Sequence, residues 1–242
     1  MNCDRRMNRI LLLETSTAKC SAALAEGMTI ISHRETDVPK AHASRLSPFV
    51  DEMLKETSLS MNDIDAVAVS GGPGSYTGLR VGVSTAKGLC FGAGKPLISI
   101  GTLEILAWQA VGLSDVPPDA VIVPMVDARR MEVYTQTFSA SCEPLSECGA
   151  KVLDGESFND LFACGKKIVF VGDGVEKYRL FLETHFPRKT ASAAFIQCCP
   201  DASAMISPAL RKFTSGEFED SAYYEPFYLK EFVAGISRKS VL

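Results

Sequence analysis

Short apolar runs alternate with stretches of helical periodicity along the first half of the chain. A short apolar run bounded by turn-forming residues predicts a buried strand, and apolar positions repeated every three to four residues predict a helix. Pro48 lies inside one helical stretch, where it predicts either a kink or the true first turn of the helix. In chain order, the pattern predicts a strand at 10–13, a hairpin of 21–25 with 29–32, a helix at 41–57, a strand at 65–70, a helix at 79–93, a strand at 96–100 and a helix at 102–111.

A proline-containing stretch at 116–119 predicts a linker between two lobes. We therefore predict an α/β protein with mixed sheets in two related lobes that are flanked by helices. The first lobe is predicted to span 7–112, with the tail 222–242 packing back on it, and the second lobe to span 113–221. The segments predicted after the linker are strands at 121–126, 132–138 and 168–171, helices at 175–184 and 202–215, and a tail at 223–232.

Composition and charge limit the functions open to this chain. Of its 242 residues, 46% are apolar and 22% are charged, which is typical of a soluble globular protein. The formal net charge is −4, and the densest basic patches are only Arg5–Arg6 and Arg129–Arg130. A protein that grips tRNA by itself usually presents a basic face, so we expect work on RNA to need a partner that supplies positive charge. Without a signal peptide core or an apolar run of membrane-spanning length, we expect a cytoplasmic protein that does not contact the membrane.

The cysteine and histidine residues do not have the spacing of a metal site. None of the eight cysteines forms a C-x-x-C pair, and the three histidines are isolated in sequence, so no metal site is predicted. We interpret the cysteines as reduced thiols. Cys198–Cys199 could be a redox-active pair, but two small buried thiols are the favoured interpretation.

A glycine-rich loop at 70–78 stands between a predicted strand and a predicted helix, where phosphate-binding loops are found. It does not match the specific motifs: Leu79 follows Gly78 where a Walker A loop has lysine, and Thr77 stands where the dinucleotide-binding pattern has its third glycine. Two interpretations remain open. Gly72 and Gly74 could belong to a vestigial phosphate loop, or the segment is a tight turn that brings helix and strand together.

Two further turns carry groups that could bind an anion. Thr15 and Ser16 follow the first strand, and their hydroxyls could hydrogen-bond a phosphate or could satisfy backbone groups of the turn itself. The turn at 127–130, Asp-Ala-Arg-Arg, could be an anionic-ligand site. A hairpin turn closed by the aspartate, with solvated arginines, is the favoured interpretation.

The helix predicted at 79–93 has two apolar faces. One face, which includes Leu79, Val83 and Cys90, is expected to pack on its own sheet. The opposite face is formed by small or apolar residues, whereas a surface helix normally carries charge there. It is therefore either buried within a single domain or buried against another subunit. The candidate interface residues on and beside this face are Gly78, Val81, Ser84, Thr85, Gly88, Leu89 and Gly92.

Segments in order along nearly the whole chain, from about Met7, resemble the TsaB (YeaZ) family. The segment with the most specific match is 65–82, which contains G-G-P-G-S-Y-T-G-L-R. Glu14 stands where the family more often has aspartate. The other matching segments are 10–17, 20–24, 125–134, 171–174 and 225–230.

This resemblance implies an actin/sugar-kinase-like (ribonuclease H-like) fold with two lobes. It also implies a role in making N6-threonylcarbamoyladenosine at position 37 of tRNAs that read ANN codons. In that family a TsaD partner carries the metal and performs the reaction, and TsaE supplies an ATPase. TsaD relatives have an H-x-x-x-H metal motif whose two histidine positions hold Thr102 and Leu106 here, and neither residue can replace an imidazole ligand.

We therefore expect a non-catalytic subunit that binds and stabilises a TsaD-like partner. The expected partners are TsaD-like and TsaE-like proteins, a second copy when the chain is alone, and tRNA only through the complex. We expect no catalytic residue and no required cofactor, although weak ATP or ADP binding is compatible with the loops. The alternatives are a nucleotide-dependent enzyme of the sugar-kinase type and a metallopeptidase; TsaB-like chains are often labelled glycoproteases, but no peptidase machinery is visible.

Overall fold

The computed structural model describes residues 7–229, which form two α/β lobes. The elements of the first lobe are β1 (Arg9–Glu14), β2 (Cys20–Glu26), β3 (Thr29–Thr36), α1 (His42–Glu56), β4 (Ala66–Gly72), α2 (Tyr76–Ala93), β5 (Leu97–Gly101) and α3 (Thr102–Leu113), with a 3-10 turn at Met61–Asp63. Their sheet has the strand order β3-β2-β1-β4-β5. The first three strands pair antiparallel, and β1, β4 and β5 pair parallel.

The second lobe is built around a sheet of six strands. Its elements are β6 (Val121–Asp127), β7 (Glu132–Thr135), β8 (Phe138–Ser139), β9 (Gly149–Val152), α4 (Asn159–Ala163), β10 (Ile168–Gly172), α5 (Val175–His185), α6 (Pro187–Ala191) and β11 (Ala193–Gln197). The strand order is β11-β10-β6-β7-β9, with the short β8 paired to β6. A 3-10 turn at Ala202–Met205 and the helix α7 (Ile206–Ser215) follow.

The two lobes are related in topology. In each sheet the first strand of the lobe is central, with antiparallel strands on one side and parallel strands on the other. In each sheet the two strands that join by parallel pairing come later in the chain than the antiparallel ones. They are β4 and β5 in one lobe and β10 and β11 in the other. The predicted fold class, an α/β fold with two related lobes of mixed sheets flanked by helices, is confirmed.

The apolar run of β1 explains why this strand is central. Leu11 and Leu13 point into a core shared with α1 and α2, whereas Ile10 and Leu12 point into a second core on the other face. Successive side chains of a strand point to opposite faces, so a strand buried on both sides is apolar at every position. Pro48 lies inside α1 and does not mark its first turn, since the helix begins at His42.

The packing differs from the predicted lobe boundary at 112–113. Within α3, Ile105 packs with the first sheet, whereas Leu106 packs with strands of the second lobe, so this helix is shared by both lobes. Residues 202–213, which were assigned to the second lobe, pack on the first sheet through Met205 and Ala209. The helix predicted over 202–215 consists of a 3-10 turn followed by α7. The apolar residues of this segment therefore cover the face of the first sheet on which the side chains of Ile10 and Leu12 lie.

The described part of the predicted tail packs back on the first lobe. The hydroxyls of Tyr224 and Ser99 are 2.5 Å apart, and the Phe227 N–H donates to the Gly71 carbonyl at 2.8 Å. The Lys87 ammonium donates to the carbonyls of Ala222 and Tyr224. The remainder of the predicted tail, 230–242, lies outside the described residues. None of the described helices is long and apolar enough to cross a membrane.

Candidate functional site

The helix α2 exposes the side that faces away from its sheet. Ser84, Gly88 and Gly92 are exposed, and a Cβ atom built at either glycine would meet nothing within 4 Å. Phe91, which is not among the candidate interface residues predicted from the sequence, is 88% exposed. We call Ser84, Gly88, Phe91 and Gly92 the α2 outer face. The alternative in which this side is buried within a single domain is therefore wrong for the isolated chain.

The half-buried candidates flank the outer face. Val81 and Leu89 pack partly against the first core, and Thr85 is also half-buried. The opposite side of the helix is fully covered, as the periodicity predicted. Its buried residues are Gly78, Leu79, Gly82, Val83, Ala86 and Cys90.

Gly78, one of the candidate interface residues, is buried and does not belong to the outer face. A Cβ atom at Gly78 would overlap the backbone carbonyl of Thr15, and one at Gly82 would overlap the Thr15 hydroxyl. Gly74 is likewise held against the carbonyl of Ser16, and the Ser75 N–H donates to that carbonyl at 2.7 Å. These glycines let the start of α2 lie directly on the loop after β1.

The loop after β1 is closed on itself. Both the N–H and the hydroxyl of Ser16 donate to one carboxylate oxygen of Glu14 at 2.5 Å, and the Thr15 N–H donates to the Ser70 hydroxyl at 3.2 Å. Glu14, Thr15 and Ser16 are all 0% exposed. The hydroxyl of Ser16 therefore satisfies its own turn, which favours the turn interpretation over a phosphate loop.

Gly72 packs closely against the tail. Its φ angle is 106°, a conformation that favours glycine, and a Cβ atom there would overlap the carbonyl of Phe227. Gly72 and Gly74 thus have separate packing roles, one against Phe227 and the other against Ser16.

Burial of Glu14 raises its pKa to about 7, although hydrogen bonds from Ser16 oppose that effect. Its second carboxylate oxygen and the hydroxyl of Thr15 have no hydrogen-bond partner among the described residues. A buried carboxyl with one unsatisfied oxygen is costly in its ionised form. The protonated form of Glu14 is therefore well populated near neutral pH.

We predict weak binding of ATP or ADP and no turnover. The Ser16 hydroxyl is already used by Glu14, and the loop after Ser70 has no lysine to meet a transferring phosphoryl group. Isothermal titration calorimetry should give a dissociation constant well above the micromolar range, and a phosphate-release assay should show no steady hydrolysis. Sub-micromolar binding together with steady hydrolysis would instead favour the kinase-like function.

The turn between β6 and β7 is closed by an aspartate, as the favoured interpretation of 127–130 expected. The Asp127 carboxylate accepts from the Arg129 N–H at 2.6 Å and from the Lys177 ammonium at 2.7 Å. Arg129 and Arg130 have φ angles of 69° and 48°, which only a few non-glycine residues adopt. The Asp173 carboxylate accepts from the Asp127 N–H, and its burial raises its pKa to about 6.

The structure brings together a group of possible ligands that are far apart in the sequence. One ligand atom each of His33, Glu35 and Asp201 lies within 4.8 Å of the others. The ammonium of Lys19 forms ion pairs with both Glu35 and Asp201. Because Lys19 already supplies the positive charge that a metal ion would bring, this group is a closed ionic network. It connects β3 to the 3-10 turn at Ala202–Met205. The Asp201 carboxylate caps this turn by accepting a hydrogen bond from the Ser203 N–H.

Sequence could not reveal this network, since 168 residues separate His33 from Asp201. The hydrogen bond to Asp201 raises the pKa of His33, against the opposing effect of burial. Burial by itself would raise the pKa of Asp201, but hydrogen bonds from His33 and Ser203 lower it well below its usual value. The protonated histidine and the ionised aspartate therefore stabilise each other.

We predict that His33→Gln lowers the free energy of unfolding by roughly 1 kcal/mol at pH 6, because a partly exposed ion pair is lost. The raised pKa of His33 means that this contribution is fully present below its unfolded pKa and declines as the pH rises through its folded pKa. Lys19 stays charged throughout this range. Urea unfolding of both proteins at pH 6 and pH 9 should show a smaller difference at pH 9. A difference that grew with pH would contradict the assignment.

The two positions that correspond to the metal motif of TsaD relatives are buried in this chain. Thr102 and Leu106 are 0% exposed at the start of α3, and Leu106 packs in the core of the second lobe. We predict that the purified protein carries no stoichiometric transition metal and cleaves no peptide substrate. Elemental analysis by mass spectrometry should find far less than one equivalent. One tightly held zinc or iron per chain would contradict this prediction.

Cys198 and Cys199 are unpaired and only half-buried, rather than fully buried as expected. Burial raises the pKa of the Cys198 thiol to about 11 and also raises that of Cys199. The thiolate is the reactive form, so a raised pKa lowers reactivity near neutral pH. Their environment favours the interpretation as structural thiols.

Comparison with known proteins gives consistent matches. The model of the TsaD family, described as tRNA N6-adenosine threonylcarbamoyltransferase, matches residues 35–237. The chain is 31% identical over 233 residues to the tRNA threonylcarbamoyladenosine biosynthesis protein TsaB of Escherichia coli, which covers 93% of this chain and 96% of that protein. It is 40% identical over 126 residues to TsaB of Haemophilus influenzae, which covers 52% of this chain and 51% of the relative.

A solved structure agrees with these matches. YeaZ from Pseudomonas aeruginosa is 26% identical, with a TM-score of 0.74, and the similarity covers 92% of this chain and 100% of that one. Both lobes are therefore included in the structural match, just as the match to the Escherichia coli protein includes nearly the whole of both sequences. From these matches and from the two related lobes, the chain belongs to the TsaB (YeaZ) family.

Proposed function

We propose that this chain is a non-catalytic subunit that binds and stabilises a TsaD-like partner in the complex that makes N6-threonylcarbamoyladenosine at position 37 of tRNA. Membership in the TsaB family supports the broader role in tRNA threonylcarbamoyladenosine biosynthesis. The α2 outer face is the observation that carries the finer role. It presents the 88% exposed ring of Phe91 beside two exposed glycines on one helix.

An outer face of this kind favours close packing of another helix. Gly88 and Gly92 let a partner backbone approach, and Phe91 would lose contact with water. Removing apolar area from water is favourable by roughly 25 cal/mol per Å². We expect the same face to serve a homodimer when the chain is alone, so that a second copy and the TsaD-like partner compete. TsaE-like protein and tRNA would join only through the complex.

The enzymatic alternatives have less support. A nucleotide-dependent enzyme of the sugar-kinase type would need phosphate-binding groups, but the loop after β1 is closed by its own hydrogen bonds. A metallopeptidase would need a metal, but Thr102 and Leu106 are buried and cannot replace imidazole ligands. No cofactor is required for a subunit that acts by binding its partner.

Reconstitution tests this proposal directly. TsaD-like and TsaE-like proteins, ATP, an activated threonylcarbamoyl donor and an unmodified tRNA would be combined with and without the full chain, and modified nucleoside would be measured by mass spectrometry. We expect product only when all three proteins are present, and no product from this chain alone. Full activity without the chain, or failure of the chain to co-purify with the TsaD-like protein, would refute the proposal.

A further inference from the structure

Residues 219–229, which we call the tail segment, run alongside α2. The Glu219 N–H donates to the carbonyl of Leu97, just beyond the C-terminal end of α2, at 2.8 Å. At the other end of the helix, the ring of Tyr228 packs on that of Tyr76, in the first turn of α2, with the ring centroids 4.9 Å apart. The tail segment therefore passes α2 from its C-terminal end to its N-terminal end.

Both charged residues of α2 bind the tail segment. Arg80 and Lys87 are the only charged residues in this helix of 18 residues. The Lys87 ammonium donates to the carbonyls of Ala222 and Tyr224 at 3.1 and 3.0 Å, and the Arg80 guanidinium forms a hydrogen bond with Tyr228. The rest of the helix carries no charge, so a partner that covers its outer face does not have to desolvate an ion there.

Phe91 lies at the border between the tail segment and the glycines of the α2 outer face. At 3.6 residues per turn, Phe91 is about 40° around the helix from Lys87, and Gly88 is about 100° from Lys87 in the same sense. Because Lys87 contacts the tail segment, the ring of Phe91 is the part of the outer face nearest to that segment. The outer face and the tail segment therefore form one continuous surface.

Tyr223 has an exposed ring on a backbone that is held in place. Its side chain is 83% exposed, whereas the carbonyls of the residues before and after it, Ala222 and Tyr224, are both bound by Lys87. Its own N–H donates to the Asp220 carbonyl at 3.1 Å. A ring on an ordered backbone loses little conformational entropy when a partner buries it, because only two side-chain angles are left to fix.

We propose that Tyr223 is an anchor residue for the TsaD-like partner and that Lys87 positions it, so that the α2 outer face and the tail segment bind this partner together. The inference rests on the proposed function, because it extends the surface proposed there. The surface fits an apolar helix that lies over Gly88 beside Phe91 and offers a hydrogen-bonding group to the tyrosine hydroxyl at its edge. Tyrosine is among the residues that most often dominate the energy of an interface.

Surface plasmon resonance with the full chain and the TsaD-like protein tests the anchor. Tyr223→Ala should weaken binding roughly 30-fold, mainly through faster dissociation, as is typical of an aromatic residue at the centre of an interface. Tyr223→Phe keeps the ring and should weaken binding only roughly fivefold, through loss of one hydrogen bond. Leu180→Ala is the control, since Leu180 is 50% exposed but lies on α5 of the second lobe, and it should bind as the wild type does.

Lys87→Met tests the positioning role, because it keeps the aliphatic stem and removes both hydrogen bonds to the tail segment. It should weaken binding roughly fivefold, since the segment must then be ordered on binding. In the Tyr223→Ala background the same change should have almost no effect, because the ring that it positions is gone. Lys166→Met, at an exposed lysine of the second lobe, is the matched control and should bind normally. Circular dichroism verifies that every variant is folded.

The possible outcomes separate this inference from the proposed function. Wild-type affinity in Tyr223→Ala overturns the inference; if Gly88→Arg still abolishes binding, the proposed function stands and α2 alone forms the interface. An equal effect of Lys87→Met in both backgrounds overturns the positioning role. If Tyr223→Ala weakens only self-association, measured by sedimentation velocity, a second copy covers the tail segment and the inference is wrong. If the wild-type chain does not bind the TsaD-like protein, the proposed function fails and the inference fails with it.

Discussion

Gly88→Arg is expected to abolish pairing with a TsaD-like partner and self-association while the chain stays folded. Gly88 is exposed in the middle of α2, and a side chain there meets nothing within 4 Å in the isolated chain. Replacing glycine inside a helix removes a poor helix former, so the monomer should not be destabilised. At a close helix contact, however, the guanidinium would be buried without a partner, at a cost of roughly 3 kcal/mol or more. That energy corresponds to a loss of affinity of at least about 100-fold.

Light scattering, partner pull-down and circular dichroism measure this effect together. Thr85→Arg, at a half-buried position beside the outer face, should act in the same direction. The matched control is Gly112→Arg, because Gly112 is also an exposed helical glycine with open space around it, but on α3. It should pair normally. If Gly88→Arg associates as the wild type does, the outer face is not the interface; if it unfolds as a monomer, the residue belongs to the core.

Gly78→Ala is expected to destabilise the chain by roughly 3 kcal/mol, the upper part of the range for overpacked cores. The new methyl group would overlap the backbone carbonyl of Thr15, which cannot move aside as a flexible side chain would. Relief would require α2 to shift away from the loop after β1, where the Ser75 N–H donates to the Ser16 carbonyl. Partner binding should fall in parallel, since the outer face is on the same helix.

Urea unfolding followed by circular dichroism gives the measurement, and Gly88→Ala is the control on the same helix. Its methyl group meets open space, so it should raise the free energy of unfolding by roughly 0.5 to 1 kcal/mol through helix propensity and a less flexible unfolded chain. The two substitutions are chemically identical and should have opposite signs. Equal effects would show that Gly78 is not held against the loop.

Much of the fold follows from local pattern. β1 and β4 are continuous apolar runs that are buried on both faces, so their strands are visible in the sequence. The elements that the pattern missed are short or polar: β9 is mostly exposed, and α4 and α6 have five residues each. Such segments bury too little apolar area to show a period, and their conformation depends on the neighbours that they meet.

For the candidate site, too, the local sequence pattern predicted one part of the arrangement and missed another. Periodicity along α2 predicted its two faces, because side chains three and four residues apart lie on one side of a helix. It could not separate Gly78, one residue before the predicted helix, from Gly88, since only the position of Thr15 in space makes Gly78 indispensable to packing.

The sequence by itself determined the two-lobed α/β plan, the order of the main strands and helices, and the absence of imidazoles at positions 102 and 106. Tertiary structure decided that α3 serves both lobes and that Met205 and Ala209 cover the first sheet. It also decided that His33 pairs with Asp201. The physical reason is that burial and charge pairing act between residues distant in sequence. Local pattern shows that a residue must be buried or paired, and only the packed chain specifies its partner.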